Sequence, residues 1–211
     1  MDTNMPKMFC IYMPERKEYA LSEFKRLNLE VNMFPAFNGK EMGLCTNKPY
    51  LFDHPTEFWS PPYGTGTNPP FFCGSGIQAL NASNFAIIKS CLAQGIDEVM
   101  IFEDDISFKD GFVEKFHELK KELPNDWLMV HLSYCCLHYM NPYSTNLKIG
   151  KCLCTPCMYY SKAGMELIEQ NARFLEPWDI YLFNIMPPQF IVDPQMADQL
   201  SIIGKFKTTL S

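Results

Sequence analysis

The chain is predicted to form an α/β domain with a mixed central sheet flanked by helices, and three observations predict it. The run Val99-Met100-Ile101-Phe102 is hydrophobic, with β-branched and aromatic members, and lies between Gly95-Ile96-Asp97-Glu98 and the triplet Glu103-Asp104-Asp105. That is the pattern of a buried central strand. The N-terminal residues read as strand, turn, helix and second strand, the start of a doubly wound sheet. Beyond residue 75, helical and extended patterns alternate almost to the end of the chain.

The elements follow in order. Lys7 to Met13 reads as the first strand, followed by a Pro14-Glu15-Arg16-Lys17 turn and a helix with Ala20, Leu21, Phe24 and Leu27 at helical spacing. Leu29 to Phe34 suits a short second strand, which makes the first one central. Pro35 to Cys73, rich in Pro, Gly, Asn and aromatics, predicts a long loop; such a loop is either functional or a tolerated insertion. Ile77, Leu80, Ile87, Ile88 and Cys91 mark one helix face from near Gly76 to Gln94, stopped at Gly95. Asn84 interrupts that face, so Ser83-Asn84 is read as a structural pair ahead of a ligand-orienting one. After the carboxylates, Phe112, Phe116, Leu119 and Leu123 define a helix ended by Pro124, and Trp127 to Tyr134 a strand. Lys148 to Tyr160 reads as extended, hairpin-like structure, and Ser161 as the N-cap of a helix containing Met165, Ile168 and Ala172. Glu176-Pro177-Trp178-Asp179 opens the last helix, and Gly204 to Lys207 is a polar, basic tail.

At 211 residues and 47% hydrophobic, the chain suffices for one sizeable core, so residues 1–211 are expected to be a single domain; the tail leaves room for further domains beyond it. The net charge of -6 and the lack of any Lys/Arg cluster argue against a nucleic-acid partner. No run of about 18 apolar residues suggests a membrane span, and the first residues lack signal-peptide character. A soluble, cytoplasmic protein is expected. Of the nine cysteines, Cys135, Cys136, Cys152, Cys154 and Cys157 cluster, but without paired zinc-knuckle spacing. Free, mostly buried thiols are expected instead. Asn81-Ala82-Ser83 has the form of a glycosylation acceptor, without a secretion signal to give it meaning.

The acidic triplet is the leading functional candidate. In open α/β sheets ligands bind at the carboxyl ends of strands, where this triplet lies. Because strand residues alternate faces, Glu103 and Asp105 are expected to point together while Asp104 turns away. Two convergent carboxylates suit a divalent cation; the competing reading is a solvated acidic turn before the next helix.

The order of these features resembles family 25 of the glycosyltransferases, the lipopolysaccharide and collagen sugar transferases, which have the GT-A (Rossmann-like) fold. Ile11-Tyr12-Met13 with Arg16 resembles the family's first strand and basic turn, and Phe34-Pro35-Ala36-Phe37-Asn38-Gly39 its Phe-x-Ala-x-(Asp/Asn)-Gly signature. Ile101-Phe102-Glu103-Asp104-Asp105-Ile106 is similar to its Glu-Asp-Asp variant of the Asp-x-Asp metal motif. Ser83-Asn84 departs from the family's usual Ser-His. Tyr159 to Gly164, Pro177-Trp178-Asp179, and Pro187-Pro188 through Gln195 and Ser201 resemble later family segments. The compact size also resembles glycosyltransferase domains that large chlorella viruses encode for capsid glycans, which would place it in the host cytoplasm.

The resemblance implies hexose transfer from a UDP-sugar to a hydroxyl of a glycan or glycoprotein acceptor, with Mn²⁺ or Mg²⁺ bridging the diphosphate. Asp105 is then the direct ligand of the cation, Glu103 reaches it, through water included, or contacts the ribose or donor sugar, and Asp104 bonds within the fold beside the nucleotide. Tyr12 and Arg16 are the nucleotide contacts, the competing reading being a packed Tyr12 and a solvated Arg16; Asp179 is the acceptor base of an inverting reaction, or orients substrate in a retaining one, with the flat face of Trp178 beside it for the sugar. His131 is a further candidate ligand, weighed below a core role. A catalytically silent carbohydrate-binding or scaffold domain and a nucleotidyltransferase are the alternatives, the latter lacking a Gly-rich, Lys-containing loop near strand one.

Overall fold

The computed structural model describes residues 5–42, 75–172 and 177–201. Most of the predicted long loop, from residue 43 to 73, and the tail with Lys205 and Lys207 lie outside the described residues. The structure is a mixed α/β arrangement with helices on both faces of an eight-stranded sheet. The strands are β1 (Lys7–Tyr12), β2 (Asn32–Pro35), β3 (Glu98–Glu103), β4 (Ile106–Phe108), β5 (Met129–His131), β6 (Leu137–Pro142), β7 (Leu147–Cys152), β8 (Cys157–Ser161), β9 (Gln189–Val192) and β10 (Ala197–Gln199). The helices are α1 (Lys17–Arg26), α2 (Ser75–Ala93), α3 (Phe112–Glu122), α4 (Lys162–Gln170) and α5 (Trp178–Ile185).

The sheet runs β2-β1-β3-β8-β5-β9-β7-β6, while β4 and β10 form a separate antiparallel ribbon. β1 is parallel to both β2 and β3, as the βαβ opening requires, and β8 enters antiparallel between β3 and β5. Alternation along β3 sorts its side chains between two cores. Met100 and Phe102 join Phe24, Phe112 and Phe116 on the α1/α3 side, whereas Val99 and Ile101 join Ile88, Met165 and Trp178 on the α2/α4/α5 side. A strand buried on both faces has no polar position until it leaves the sheet, so its first carboxylates mark its end.

Two expectations need correction. The extended stretch from Lys148 to Tyr160 is not one hairpin: β7 pairs with β6 and β9, and β8 with β3 and β5. Leu153 to Pro156 carries the chain between them. Nor does the chain pass straight from the carboxylates into a helix, because β4 comes first and pairs with the distant β10. The helix starts fare better: the Ser161 Oγ accepts the Gly164 N–H at 3.1 Å, the N-cap that its place in the sequence predicts.

Candidate functional site

β1 and β3 end side by side, Ile11 opposite Glu103, and open into a cleft of about 520 Å³. Tyr12 and Arg16 border it on one side, Phe37 and Asn38 on another, and Glu103, Asp104, Asp105, Gln199 and Ser201 form its acidic wall.

The three carboxylates do different things, in the arrangement alternation predicts, although only Glu103 belongs to β3 and Asp104 and Asp105 form the turn before β4. Asp104 turns away to the β1 turn, where its Oδ2 accepts the Met13 N–H at 2.5 Å and its Oδ1 lies 3.1 Å from the Arg16 guanidinium. It ties the two strand ends together. Burial pushes its carboxyl up, and the Met13 amide and Arg16 pull it back. Glu103 and Asp105 converge on a single group: the Nε2 of Gln199 lies 3.1 Å from Glu103 Oε2 and 3.5 Å from Asp105 Oδ1. Glu103 also accepts the Thr155 hydroxyl at 3.1 Å. Burial, then the charge of Asp105, lifts its pKa to about 8. Asp105 is 2% exposed; its Oδ2 accepts the Ser201 N–H at 3.4 Å and lies 3.9 Å from Arg16.

These residues fit a hard divalent cation. The donors are all oxygen, which selects Mg²⁺ or Mn²⁺ over softer metals. Glu103, half-buried, and the buried Asp105 repel in one place, and the high pKa of Glu103 is desolvation together with that repulsion. Gln199 Oε1 is buried with no hydrogen-bond partner among the described residues, and its amide already touches both carboxylates. Among the described residues no group of three or more His, Cys, Asp and Glu gathers closely enough to form an all-protein cage. Such cages are not how Mg²⁺ is usually held beside phosphates, where one or two carboxylates suffice.

Asp179 lies in the first turn of α5, partly buried, its Oδ2 accepting the Cys154 N–H at 3.2 Å and its Oδ1 the Ile180 N–H at 2.9 Å. Burial pushes its carboxyl up, against the pull of these amides. Its charge is among those that raise Glu103, so the two carboxylates share one electrostatic environment. The short segment Cys154-Thr155 touches both: one residue donates to Asp179, the next to Glu103.

Other candidates have structural roles. Trp178 is not an open face for a sugar: it is 2% exposed, packs at 5.1 Å between ring centroids on Phe85, and its Nε1 donates to the Tyr160 hydroxyl. His131 is 1% exposed, its Nε2 2.9 Å from Gln189 Oε1, and burial takes its pKa down to about 4. It is a neutral core residue. Ser83 accepts the Phe37 N–H and donates to Ala79, which holds the cleft's edge to α2, while Asn84 donates to Leu80 within the same helix. Asn81 is fully buried, out of reach of glycosylation. Gln195 accepts from Ser133 and Tyr134, away from the carboxylates. Tyr12 lines the cleft with the Lys17 ammonium 5.3 Å from its ring centroid.

Sequence reasoning missed Gln199 and Thr155. Gln199 sits in a three-residue strand, too short for alternation to register, and Thr155 in an irregular link. The cysteines also differ from expectation. Cys10, Cys91, Cys152 and Cys157 are free and buried and Cys136 is free and exposed, but Cys135 and Cys154 form a disulfide.

The model of the glycosyltransferase family 25 (LPS biosynthesis protein) matches residues 75–176, from α2 through the acidic triplet and past α4, and supports glycosyl transfer as the activity. No curated protein matches the chain. Among solved structures the chain is similar to A197 from STIV, at 10% identity over 92% of this chain and 83% of that one, with a TM-score of 0.48. It is also similar to mannose-1-phosphate geranyltransferase from Thermus thermophilus, at 11% identity over 57% of this chain and 51% of that one, with a TM-score of 0.39.

Proposed function

We propose that the chain is a metal-dependent glycosyltransferase of GT-A type that moves a hexose from a UDP-sugar to a hydroxyl of a glycan or glycoprotein acceptor. The observation that carries this reading is the convergence of Glu103 and Asp105 on one amide, in an open cleft at the end of β3 and inside the segment matched by the family model.

Asp105 is the direct ligand of Mn²⁺ or Mg²⁺, with Glu103 beside it and Gln199 Oε1 as an available neutral donor. The bound cation neutralises charge on the departing diphosphate, which an acidic chain without a basic patch cannot do alone. Asp104 keeps Arg16 at the mouth of the cleft, where the guanidinium faces the donor, and Tyr12 offers its ring to the base. Asp179 takes the proton of the acceptor hydroxyl; burial raises its carboxyl toward the range in which a general base works.

Thermal melting tests the donor half of this scheme. UDP with Mn²⁺ at 100 times its dissociation constant adds about 2.7 kcal/mol. For a domain of this size that raises Tm by roughly 5–10 °C. Melting curves that UDP leaves in place with and without Mn²⁺ would remove the proposal.

A further inference from the structure

The geometry points to a thiol–disulfide exchange site at Cys135, Cys136 and Cys154 that controls how Asp179 is held, with a dithiol reductant as its reaction partner. This rests on the reading of Asp179 as the acceptor base.

Cys135 and Cys154, 19 residues apart, are joined by a disulfide and are both partly exposed. The segments they belong to also pair through the backbone, Cys135 donating to Leu153 at 3.2 Å and Leu153 to Cys136 at 2.9 Å. Beyond this pairing the chain bends sharply. Cys154 has φ +67°, a left-handed conformation that residues with a Cβ seldom adopt. In that conformation its N–H reaches Asp179 Oδ2 and sets Thr155 against Glu103. The disulfide therefore fastens the segment that bonds to both Asp179 and, through the Thr155 hydroxyl, Glu103 of the cleft wall. Cys136 adds an accessible neighbour: it is the exposed free thiol among the described residues, and its sulfur is 3.5 Å from that of Cys135. The buried thiols Cys10, Cys91, Cys152 and Cys157 offer no comparable access.

The exchange balances with the dithiol alone. One sulfur of the reductant, as thiolate, attacks a sulfur of the Cys135–Cys154 bond and displaces the other as thiolate. The second sulfur of the reductant then attacks the mixed disulfide. Cys135 and Cys154 end as thiols carrying the two protons that the dithiol gives up, and the dithiol ends as its cyclic disulfide. The protein gains two electrons and the reagent loses them. Untethered, Cys154 leaves the left-handed region and withdraws its N–H from Asp179.

The test uses the full chain and dithiothreitol. Peptide mapping after alkylation without reductant should show Cys135 linked to Cys154 and Cys136 alkylated. Dithiothreitol should cleave the link, speed deuterium uptake across residues 153–156, and lower transfer at least tenfold, while UDP binding with Mn²⁺ stays the same. Cys135→Ser/Cys154→Ser should behave as the reduced protein and ignore dithiothreitol. Cys135→Ser/Cys154→Gly should recover most of the transfer, because glycine adopts φ +67° without a tether. Absence of the link in the purified protein, or unchanged deuterium uptake after its cleavage, would overturn the inference. So would equal transfer by the Ser/Ser and Ser/Gly variants. Failure of UDP to bind either redox form would count against the donor-site reading alone, since deuterium uptake still decides the exchange site.

Discussion

Asp179 accepts the Cys154 N–H on Oδ2 and the Ile180 N–H on Oδ1, and an asparagine, with a single side-chain oxygen, keeps one of these two bonds. Asp179→Asn is expected to fold with a modestly lower Tm and to bind UDP like the parent, yet to transfer about 10² to 10⁴ times more slowly, the usual contribution of a positioned base. Transfer rate and Tm measured on the same variant check this, and a near-parental rate would return Asp179 to a helix-start role. His131 carries a different signature. Its folded pKa of about 4 lies below the ordinary 6.5, so between those values the unfolded chain binds a proton that the folded chain refuses. The stabilisation is complete above pH 6.5 and is lost as pH falls toward 4. Tm should drop more steeply over that window in the parent than in His131→Asn, and parallel profiles would show that His131 is not the titrating group. Residue roles were legible where local geometry decides them. Asp104 parts from Glu103 and Asp105 as alternation predicts, although the two aspartates stand in the turn between β3 and β4. The roles of Trp178 and Gln199 depend on chain segments far away in sequence, on Phe85 and on the β4–β10 ribbon, which no local pattern reveals.

Elements long enough for a period to show were legible: α1, α2, α3 and α4 lie close to their predicted spans, and Ser161 caps α4. Three-residue strands such as β4 and β10 were not, because so short a run cannot display alternation. The β7–β8 stretch looked like a hairpin because both halves are extended; which strands they pair with depends on the sheet order. Close packing of α4 explains a glycine that propensity alone would disfavour. A Cβ on Gly164 would lie 2.1 Å from the Leu128 carbonyl oxygen, a backbone atom that cannot swing aside. Alanine gains about 1 kcal/mol of helix propensity over glycine. Overpacking costs about 1–3 kcal/mol, and more when backbone must move. The clash outweighs the gain, so Gly164→Ala is expected to melt several degrees lower in calorimetry; a higher Tm would mean that the helix can shift outward freely.

At the scale of the molecule, an acidic chain with net charge -6 places buried carboxylates where a doubly wound sheet presents its ligands. The α/β class and the place of the carboxylates at the end of a buried strand followed from one hydrophobic run. The order of the eight strands did not, since parallel and antiparallel neighbours carry the same hydrophobic signal. No helix among the described residues is long and apolar enough to cross a membrane. The central claim is that the end of β3 holds the cation of a nucleotide-sugar donor. Calorimetric titration of UDP, with and without Mn²⁺, into the parent and Asp105→Asn tests it most directly. The account predicts binding that requires Mn²⁺ and that weakens at least roughly tenfold, about 1.4 kcal/mol, in the variant. Equal affinity in the two proteins, or equal affinity without the cation, would contradict it.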